Sequence, residues 1–253
     1  MKYLSYMSIF LVLFEIIFIF SFIFLISATI TLGNANSVNT NTTYENNFTH
    51  LNVSNSSIIL YMPFDVNATS GVNITYDYTN NSNDGKVVNN VNWTTGCVYG
   101  NCYAFNKINN YVELNNAITT GTTGTISTWV KLALAPAAHN NHIFSTGGND
   151  VAEPGFMGYR IADYSGTTYM SVNQKTEGVT TWDHVRGSTA LSIGTWYNLV
   201  VTSDGTTYKL YVNGNAETLT VVTGTNSGNW FGDTSLTGPK TRIGGSYYDG
   251  NLL

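Results

Sequence analysis

The chain has 253 residues, which is enough for one sizeable domain preceded by an N-terminal extension. Only 10% of the residues are charged, and ten Lys and Arg against fifteen Asp and Glu give a net charge of −5. The basic residues are scattered singly along the sequence, whereas a polyphosphate partner requires clustered cations. Composition therefore argues against nucleic-acid binding, and the abundance of Gly, Tyr, Thr and Asn indicates an all-β domain with many turns.

The N-terminal segment is hydrophobic and long enough to cross a bilayer. An almost unbroken apolar run extends over residues 7–30, and about 20 such residues span a membrane. We interpret residues 1–32 as a signal anchor, with a signal peptide cleaved after Ala28 or Ala35 as the alternative. Either segment directs export, and Lys2 orients the remainder outward. The expected location is the extracellular face of the cell membrane, or the medium if the segment is cleaved.

Residues 33–56 show no hydrophobic periodicity and are dominated by Asn, Thr and Ser, which predicts a solvated stalk that buries too little apolar surface to fold. Sequons of the form N-x-Ser/Thr begin at Asn41, Asn47, Asn52, Asn55, Asn67, Asn73, Asn80 and Asn92. Because export is indicated independently, we predict that at least some of these asparagines are glycosylated. Residues 57–253 then form the folded domain.

The stretch 195–214 carries the clearest strand pattern of the chain. Apolar and polar residues alternate over 196–201 and over 208–212, which is the period of a half-buried strand. Asp204-Gly205 lies between these segments and predicts a hairpin with a type I′ turn. Asn213-Gly214 is a second turn signal, after which the chain returns through residues 216–222. We predict a three-stranded antiparallel meander.

Three segments carry a distinctive combination of strands and turns: 195–214 (TWYNLVVTSDGTTYKLYVNG), 124–132 (GTISTWVKL) and 241–245 (TRIGG). They resemble the LamG-like jelly-roll domains of the concanavalin A-like lectin/glucanase superfamily, and the resemblance extends over 58–253. It implies an all-β jelly-roll β-sandwich of two antiparallel sheets, preceded here by a single N-terminal hydrophobic helix. It also implies that Trp129 packs in the sandwich core.

The segment 58–64 (IILYMPF) is apolar and reads as the first core strand. The resemblance implies a further strand beyond 241–245, but the sequence reaches Leu253 before that strand is complete. Either the sequence is truncated relative to its relatives or another segment fills the gap. Without such a segment, we expect residues 58–64 to lose a neighbour and to expose unpaired backbone groups. Such an edge invites pairing with another chain, so an oligomer is a predicted possibility.

Cys97 and Cys102 are the two cysteines of the chain. In an exported protein they predict a disulfide that closes a short loop, with free thiols in a reducing setting as the alternative. His139 and His142 have an H-x-x-H spacing, but they follow Pro136 in a turn and no third ligand is evident. We interpret them as part of an ordinary polar loop.

The resemblance aligns a D-G-x-D-D-Y-V segment of the family with residues 106–112, which read NKINNYV here. Aspartates in that segment would supply oxygen ligands to Ca²⁺, and their replacement by asparagines predicts at most a weak site. The candidate Ca²⁺ ligands are Asp65, Asp77, Asp84 and Asn106. The alternative is that these side chains cap turns through hydrogen bonds to the backbone.

Strand patterns over 158–161 and 168–172 are followed by a polar insertion over 173–192. This insertion carries Trp182, Asp183 and His184. An aromatic ring on a polar loop is what a sugar-binding site uses, because a pyranose packs its C–H groups on the ring while polar neighbours bind its hydroxyls. We take these three residues and Trp230 as the candidate carbohydrate-binding residues, with Trp182 folded under its own loop as the alternative.

Glycoside hydrolysis requires two carboxylates at a defined separation. Glu113, Glu153, Glu177 and Glu217 each stand alone in the sequence, and no nucleophile motif is present. We therefore predict a non-catalytic, surface-anchored module that binds a glycan or a surface protein and serves adhesion. The alternative is a structural component of the cell envelope that assembles with neighbouring chains.

Overall fold

A computed structural model of the protein describes residues 57–64, 73–106, 108–134, 141–148 and 154–246, which belong to two compact units. The smaller unit contains 57–61 and 78–81, and the larger unit contains the other described residues. The predicted anchor and stalk lie outside the described residues. Within the described ranges, no helix is long and apolar enough to cross a membrane.

The larger unit consists almost entirely of β-structure, which confirms the predicted fold class. Its strands are β1 (Ile74–Thr75), β2 (Gly85–Val88), β3 (Asn92–Thr94), β4 (Cys102–Ala104), β5 (Tyr111–Leu114), β6 (Gly124–Lys131), β7 (Asn141–Gly147), β8 (Phe156–Tyr164), β9 (Thr167–Lys175), β10 (Asp183–Arg186), β11 (Trp196–Ser203), β12 (Tyr208–Val212), β13 (Asn215–Ala216), β14 (Thr220–Thr223) and β15 (Lys240–Ile243). A short 3-10 helix, Phe231–Asp233, precedes β15.

Two antiparallel sheets build the sandwich. The nine-stranded sheet has the order β1-β2-β5-β15-β7-β8-β9-β10-β14, and the four-stranded sheet has the order β13-β12-β11-β6. Their inner faces meet where the Tyr208 hydroxyl lies 4.0 Å from Met157 Sδ. Val172 and Val185 of the larger sheet and Leu199 of the smaller one are fully buried. The hydrophobic core therefore lies between these two sheets.

The predicted meander is correct in its first two strands and differs in its turns. Ser203 pairs with Tyr208, so the β11–β12 loop has four residues, with Gly205 at φ 84° and the Asp204 carboxylate accepting the backbone N–H groups of Thr206 and Thr207. The expected type I′ turn is therefore wrong at this position. Such a turn joins β12 to β13 instead, where Asn213 and Gly214 both have positive φ.

The third strand of the meander is divided between the two sheets. Asn215–Ala216 pairs with β12, whereas Thr220–Thr223 crosses over and pairs with β10 at the edge of the nine-stranded sheet. Glu217 lies at the crossing and accepts hydrogen bonds from the backbone N–H groups of Ser188 and Thr189. This polar residue interrupts the strand pattern and ties the crossing to the loop after β10.

Strands β7, β8 and β9 form the centre of the nine-stranded sheet. The predicted strands over 158–161 and 168–172 are parts of β8 and β9, which pair along their full length. The register of β7 against β8 shifts between His142 and Phe144, so Ile143 is the extra residue of a β-bulge. His142 therefore lies in a strand, and its interpretation as a loop residue is wrong.

The expectation that Trp129 packs in the core is also wrong. In β6 the positions that face the core belong to Ile126, Thr128 and Val130, because Thr128 and Ile126 pair with the buried Leu199 and Val201. Trp129 has the opposite parity and is 45% exposed. It lies on the outer side of the four-stranded sheet, whose edge strand is β6.

The predicted first core strand is not formed, since residues 57–64 contain no strand. In the smaller unit, the Tyr78 N–H donates to the Tyr61 carbonyl and Asn81 Nδ2 donates to the Ile58 carbonyl at 2.8 Å. Ile59 and Tyr61 are 43% and 42% exposed. The backbone of residues 57–61 bonds to a polar turn and does not pair as a strand, whereas Phe64 of the larger unit packs against the buried Tyr103 ring, with 4.9 Å between ring centres.

The predicted disulfide is present. Cys97 and Cys102 are joined, with Cα atoms 6.0 Å apart, and Cys102 begins the strand that pairs with β3. The hairpin β3–β4 packs Tyr103 into a cluster with Val87, Val91 and Val112. The disulfide thus closes the loop of a hairpin that covers one end of the core.

Candidate functional site

Residues that pair across antiparallel strands point to the same side of a sheet, so the register assigns both faces of the nine-stranded sheet. One face packs against the core and carries Tyr159, Val172 and Val185. The opposite face, directed away from the four-stranded sheet, carries a row that consists of Ile74, Lys86, Glu113, Arg242, Ser145, Gly158, Asn173 and His184.

This outward face gathers most of the basic residues of the protein. Six of the ten Lys and Arg residues of the chain occupy it, namely Lys86, Arg160, Lys175, Arg186, Lys240 and Arg242. Among the described positions of this face, Glu113 is the single carboxylate. We call this surface the basic face. These residues are scattered in the sequence but lie on one face of the sheet, because the side chains of alternate strand positions point to the same side.

At one end of the basic face, Arg242 and Lys240 share one carboxylate of the sheet. The Arg242 guanidinium donates from Nε and Nη2 to Glu113 Oε2 at 3.1 and 3.0 Å, and Lys240 Nζ lies 3.2 Å from Glu113 Oε1. The guanidinium also lies 4.0 Å from the centre of the Tyr111 ring. The buried guanidinium of Arg242 thus hydrogen-bonds with Glu113 along its edge and stacks against Tyr111 on its face.

At the other end, Arg160 is hydrogen-bonded to polar side chains of the neighbouring strands. Its Nε donates to Ser171 Oγ at 3.3 Å, and its Nη2 lies 3.0 Å from His184 Nε2, which is also hydrogen-bonded to the Tyr164 hydroxyl. Arg160 and His184 are 7% and 8% exposed. Burial lowers the pKa of Arg160, an effect that Tyr164 partly offsets. The guanidinium remains charged at any physiological pH.

His142 and Asn173 lie beside Arg160 and have buried polar atoms without partners. They are 5% and 6% exposed, and neither ring nitrogen of His142 nor Asn173 Oδ1 makes a hydrogen bond of good geometry among the described residues. Burial, and next the charge of Arg160, lower the pKa of His142 to about 3, although nearby Asn173 raises it slightly. The imidazole is therefore neutral, with one donor and one acceptor nitrogen.

Gly158 allows these side chains to pack closely over the strand. A Cβ atom at this position would lie 2.9 Å from His142 Cδ2, 2.7 Å from Asn173 Oδ1 and 2.4 Å from the Phe156 ring. A side chain larger than hydrogen cannot be accommodated without displacing its neighbours. Since buried polar groups in proteins are normally hydrogen-bonded, the unpaired atoms of His142 and Asn173 require a partner such as a ligand or ordered water.

Two of the predicted sugar-binding residues lie at this end of the basic face. Trp182 is half-buried, with its ring centre 5.7 Å from that of Phe156 and Lys175 Nζ 5.7 Å above it. His184 contacts Arg160 as described above. The polar insertion that was predicted to hold both residues is not a continuous loop, because it contains the end of β9 and all of β10.

The other two predicted residues are directed elsewhere. Asp183 pairs with Gln174 on the core side, and its Oδ1 accepts hydrogen bonds from the N–H and hydroxyl of Thr225 at 2.8 and 3.1 Å. Trp230 is 4% exposed and packs edge-on against Phe231 at 5.2 Å between ring centres. Neither residue presents a free surface to a sugar, so the structure does not bring them together with Trp182.

The candidate Ca²⁺ ligands that are described act as turn caps. Asp77 Oδ2 accepts the N–H of Asn83, and Asp84 Oδ1 accepts the N–H of Asp77 at 2.8 Å. Asn106 Oδ1 accepts N–H groups within its own loop, including that of Ile108 at 2.9 Å. Asp65 lies outside the described residues. No cluster of three or more His, Cys, Asp or Glu side chains occurs in the described part of the chain, and Ca²⁺ binding stays a prediction.

Three predicted glycosylation sites, Asn73, Asn80 and Asn92, are exposed in the structure. The other sequons, which begin at Asn41, Asn47, Asn52, Asn55 and Asn67, lie outside the described residues. Exposure is a requirement for modification and does not demonstrate it, so glycosylation stays a prediction.

Sequence reasoning missed Arg160, Asn173 and the role of His142. The segment 156–164 (FMGYRIADY) alternates, and its apolar positions 157, 159 and 161 indicate that Arg160 points away from the core. This alternation could have identified Arg160 from the sequence. The approach of Asn173 and His142 to Arg160 could not be predicted, because it depends on the pairing of three strands and on the bulge in β7.

Comparison with solved structures gives distant likenesses. The CBM40 domain of a Ruminococcus gnavus IT-sialidase, bound to α2,3-sialyllactose, is 14% identical with a TM-score of 0.40, over 52% of this chain and 68% of that chain. Domain 4 of AbnA, a GH43 extracellular arabinanase from Geobacillus stearothermophilus in complex with arabinotriose, is 18% identical with a TM-score of 0.39, over 61% of this chain and 76% of that chain.

No curated protein sequence matches the chain. A match is found at the level of the family, whose sequence profile fits residues 106–252, more than half of the chain. The matched region contains β5–β15 and therefore the Arg160 end of the basic face. The chain belongs to the concanavalin A-like lectin/glucanases superfamily.

Proposed function

We propose that this domain is a non-catalytic glycan-binding module whose ligand lies on the basic face around His142, Arg160 and Asn173. The observation that supports it most directly is a set of buried polar atoms without partners, namely both ring nitrogens of His142 and Oδ1 of Asn173. The His142 ring and the half-buried Trp182 ring both pack on Phe156. Sugars need this combination, because their hydroxyls bind fixed polar groups while their C–H faces pack on aromatic rings.

Binding is favoured over hydrolysis by the distribution of carboxylates. A glycosidase of the common type places two carboxyl groups about 5–10 Å apart on either side of the scissile bond. On the described part of the basic face the one carboxylate, Glu113, is engaged by Arg242 and Lys240. This arrangement supports a site that holds a saccharide without cleaving it.

The test is binding of the full-length protein, purified in mild detergent, to an array of neutral and charged oligosaccharides. N173A should weaken binding about tenfold, because it removes the amide that faces the site. S127A, on the exposed outer side of β6, is the matched control and should bind like the unaltered protein. If N173A bound glycans as tightly as the unaltered protein, the site would lie elsewhere on the domain. If no glycan on the array were bound, the glycan-binding function would be contradicted.

The proposed function includes display outside the cell by the hydrophobic segment 1–32, with glycosylation of exposed sequons. Extraction of membranes with alkaline carbonate should leave the protein in the membrane fraction, and release into the supernatant would contradict anchoring.

Chemical deglycosylation should reduce the intact mass of the protein, and an unchanged mass would contradict glycosylation.

A second candidate, a structural envelope component, is favoured by the edge strand β6. Its inward residues Ile126 and Val130 are only half-buried, whereas Leu199 and Val201 of the neighbouring strand are fully buried. An added strand from another chain would cover these two residues. Sedimentation at increasing protein concentration distinguishes the candidates, because assembly without glycan binding supports the structural role and a single monomeric species contradicts it.

A further inference from the structure

We infer that one end of the four-stranded sheet carries, on its outer side, a contact surface for a lipid bilayer. This inference goes beyond glycan binding and rests on the proposed membrane anchoring for the choice of partner. The surface, which we call the apolar corner, consists of Trp129, Lys131, Leu134, Ile193 and Trp196. These residues belong to β6, to β11 and to the chain segments at the ends of these two strands.

Strand pairing brings the apolar corner together. Lys131 pairs with Trp196, and Trp129 lies two positions from Lys131 in β6, so these three side chains point to the same side of the sheet. The two chains remain in contact past the strand ends, where the Gly194 N–H donates to the Leu132 carbonyl at 2.8 Å. The other two members of the corner therefore lie next to the same strand ends.

The apolar corner exposes large hydrophobic side chains side by side. Leu134 is 66%, Ile193 is 55% and Trp129 is 45% exposed. The Lys131 ammonium lies 5.0 Å from the centre of the Trp196 ring. Single exposed apolar residues are ordinary on protein surfaces, whereas adjacent ones mark an interaction site. The corner is thus a candidate contact surface on the side of the domain opposite to the basic face.

The charge of the apolar corner favours anionic lipid headgroups. Segments 124–134 and 192–203 contain no Asp or Glu, and Lys131 is their single charged residue, although the protein carries fifteen acidic residues. Trp and Lys suit the membrane interface, because an indole lies at headgroup level and a lysine stem can extend its ammonium to the phosphates. Exposed Leu and Ile side chains beside them can enter the acyl region.

The hydrophobic run over residues 7–30 gives a second reason to choose a bilayer. In the proposed function this run lies in the membrane, and the predicted stalk, residues 33–56, joins it to the domain. A tether of this kind holds the domain near the bilayer at an effective concentration on the order of millimolar. A corner of a few apolar side chains is then sufficient for contact, because the anchor has already brought the two surfaces together.

The experiment measures the tryptophan fluorescence of the full-length protein in vesicles of phosphatidylcholine and phosphatidylglycerol with brominated or unbrominated acyl chains. Bromine quenches an indole that enters the acyl region. All five Trp residues of the chain lie between Trp93 and Trp230, so the predicted anchor contributes no signal. We expect brominated lipid to quench the emission of the unaltered protein. W129F should lose most of this quenching, and the difference between the two proteins isolates the signal of Trp129.

I193N should weaken the contact about tenfold, because an isoleucine side chain no longer enters the bilayer. The quenching of Trp129 should fall with it. I108N is the matched control, since Ile108 is 79% exposed and lies outside the apolar corner. It receives the same replacement and should leave the quenching unchanged. Near-ultraviolet circular dichroism verifies that both variants are folded.

K131Q should reduce the quenching of Trp129 in vesicles that contain phosphatidylglycerol and should have little effect in vesicles of phosphatidylcholine alone. K209Q is its control. Lys209 is an exposed cation of β12 whose partner position, Thr202, lies at the opposite end of β11 from Trp196. An equal loss of quenching in both variants would contradict a headgroup contact at Lys131.

The outcomes separate this inference from the function on which it rests. An unquenched Trp129, in protein that alkaline carbonate leaves in the membrane, would overturn the lipid contact and leave anchoring intact. Emission of Trp129 that changes with an oligosaccharide or with protein concentration, but not with brominated lipid, would also overturn it and assign the corner to a sugar or a second copy. If carbonate released the protein, anchoring would be contradicted, and quenching by added vesicles would then decide the lipid contact by itself.

Discussion

Arg242 and Arg160 lie on the same face of the same sheet and are buried to a similar extent, but their polar surroundings differ. Arg242 donates two hydrogen bonds to Glu113 and stacks on Tyr111. Its charge is therefore paired with a carboxylate of β5, and this ion pair holds β5 against β15. Arg160 is oriented by Ser171 and His184, and beside it His142 and Asn173 keep unpaired buried atoms. A closed polar network stabilises a fold, whereas an incomplete one is available to a ligand. The following substitutions test that difference.

The largest effect is expected at the Arg242 end. E113Q should lower the free energy of unfolding by about 3 kcal/mol, because it leaves a buried guanidinium without its anion. K240Q is the matched control, since Lys240 is the exposed partner of the same carboxylate and should cost less than about 1 kcal/mol. Urea denaturation measures both. If E113Q also abolished glycan binding, the two ends of the face would not be separable as described.

At the Arg160 end, G158A should cost about 2 kcal/mol and weaken glycan binding. Its methyl group overlaps Phe156 and Asn173, so the floor of the site must shift. S127T adds a methyl group on the open side of β6 and should leave stability and binding nearly unchanged. A stable G158A protein with full affinity would show that the space above Gly158 is not used.

His142 should make stability depend on pH. Its pKa is about 3 in the folded protein and near 6.5 in the unfolded chain, so the unfolded state binds the extra proton as the pH falls. The contribution is fully present above pH 6.5 and is lost at roughly 1.4 kcal/mol per pH unit between pH 6.5 and 3. Denaturation of the unaltered protein and H142Q across this window measures the difference. Parallel curves would contradict a buried, neutral His142.

The smallest effect is expected for W129A on the outer side of the four-stranded sheet. Trp129 is 45% exposed, and surface substitutions of this kind change stability by about 0.5 kcal/mol. Glycan affinity should be unchanged. If W129A lost glycan binding while N173A kept it, the site would lie on the four-stranded sheet and not at the Arg160 end of the basic face.

The sequence predicted those features that depend on local pattern. Alternation placed β11 and β12, and short-range turn chemistry placed the reversal at Asn213-Gly214. Trp129 shows where pattern fails, because both faces of β6 carry partly exposed residues and alternation alone does not say which face is inward. The segment 58–64 was misassigned because an apolar run does not reveal whether its backbone finds a strand to pair with.

The candidate site was predicted in part. Trp182 and His184 were selected for their chemistry, and both lie beside Arg160 or Lys175 in the structure. Trp230 was selected on the same grounds but fills the core, since residue type does not report burial. The basic face could not be foreseen from spacing along the chain, because Lys86, Arg160 and Arg242 come to lie on one face only through the strand order and register.

The bulge at Ile143 decides which β7 side chain lies beside Arg160. Phe144 pairs with Tyr159 in the core and His142 pairs with Arg160, so Ile143 is the residue without a partner position. A regular ladder through the same residues would pair Ile143 with Arg160 and His142 with Ile161, and would turn the imidazole inward. A slip of β7 by one residue, with no substitution, would therefore exchange a histidine and an isoleucine between the outward face and the core.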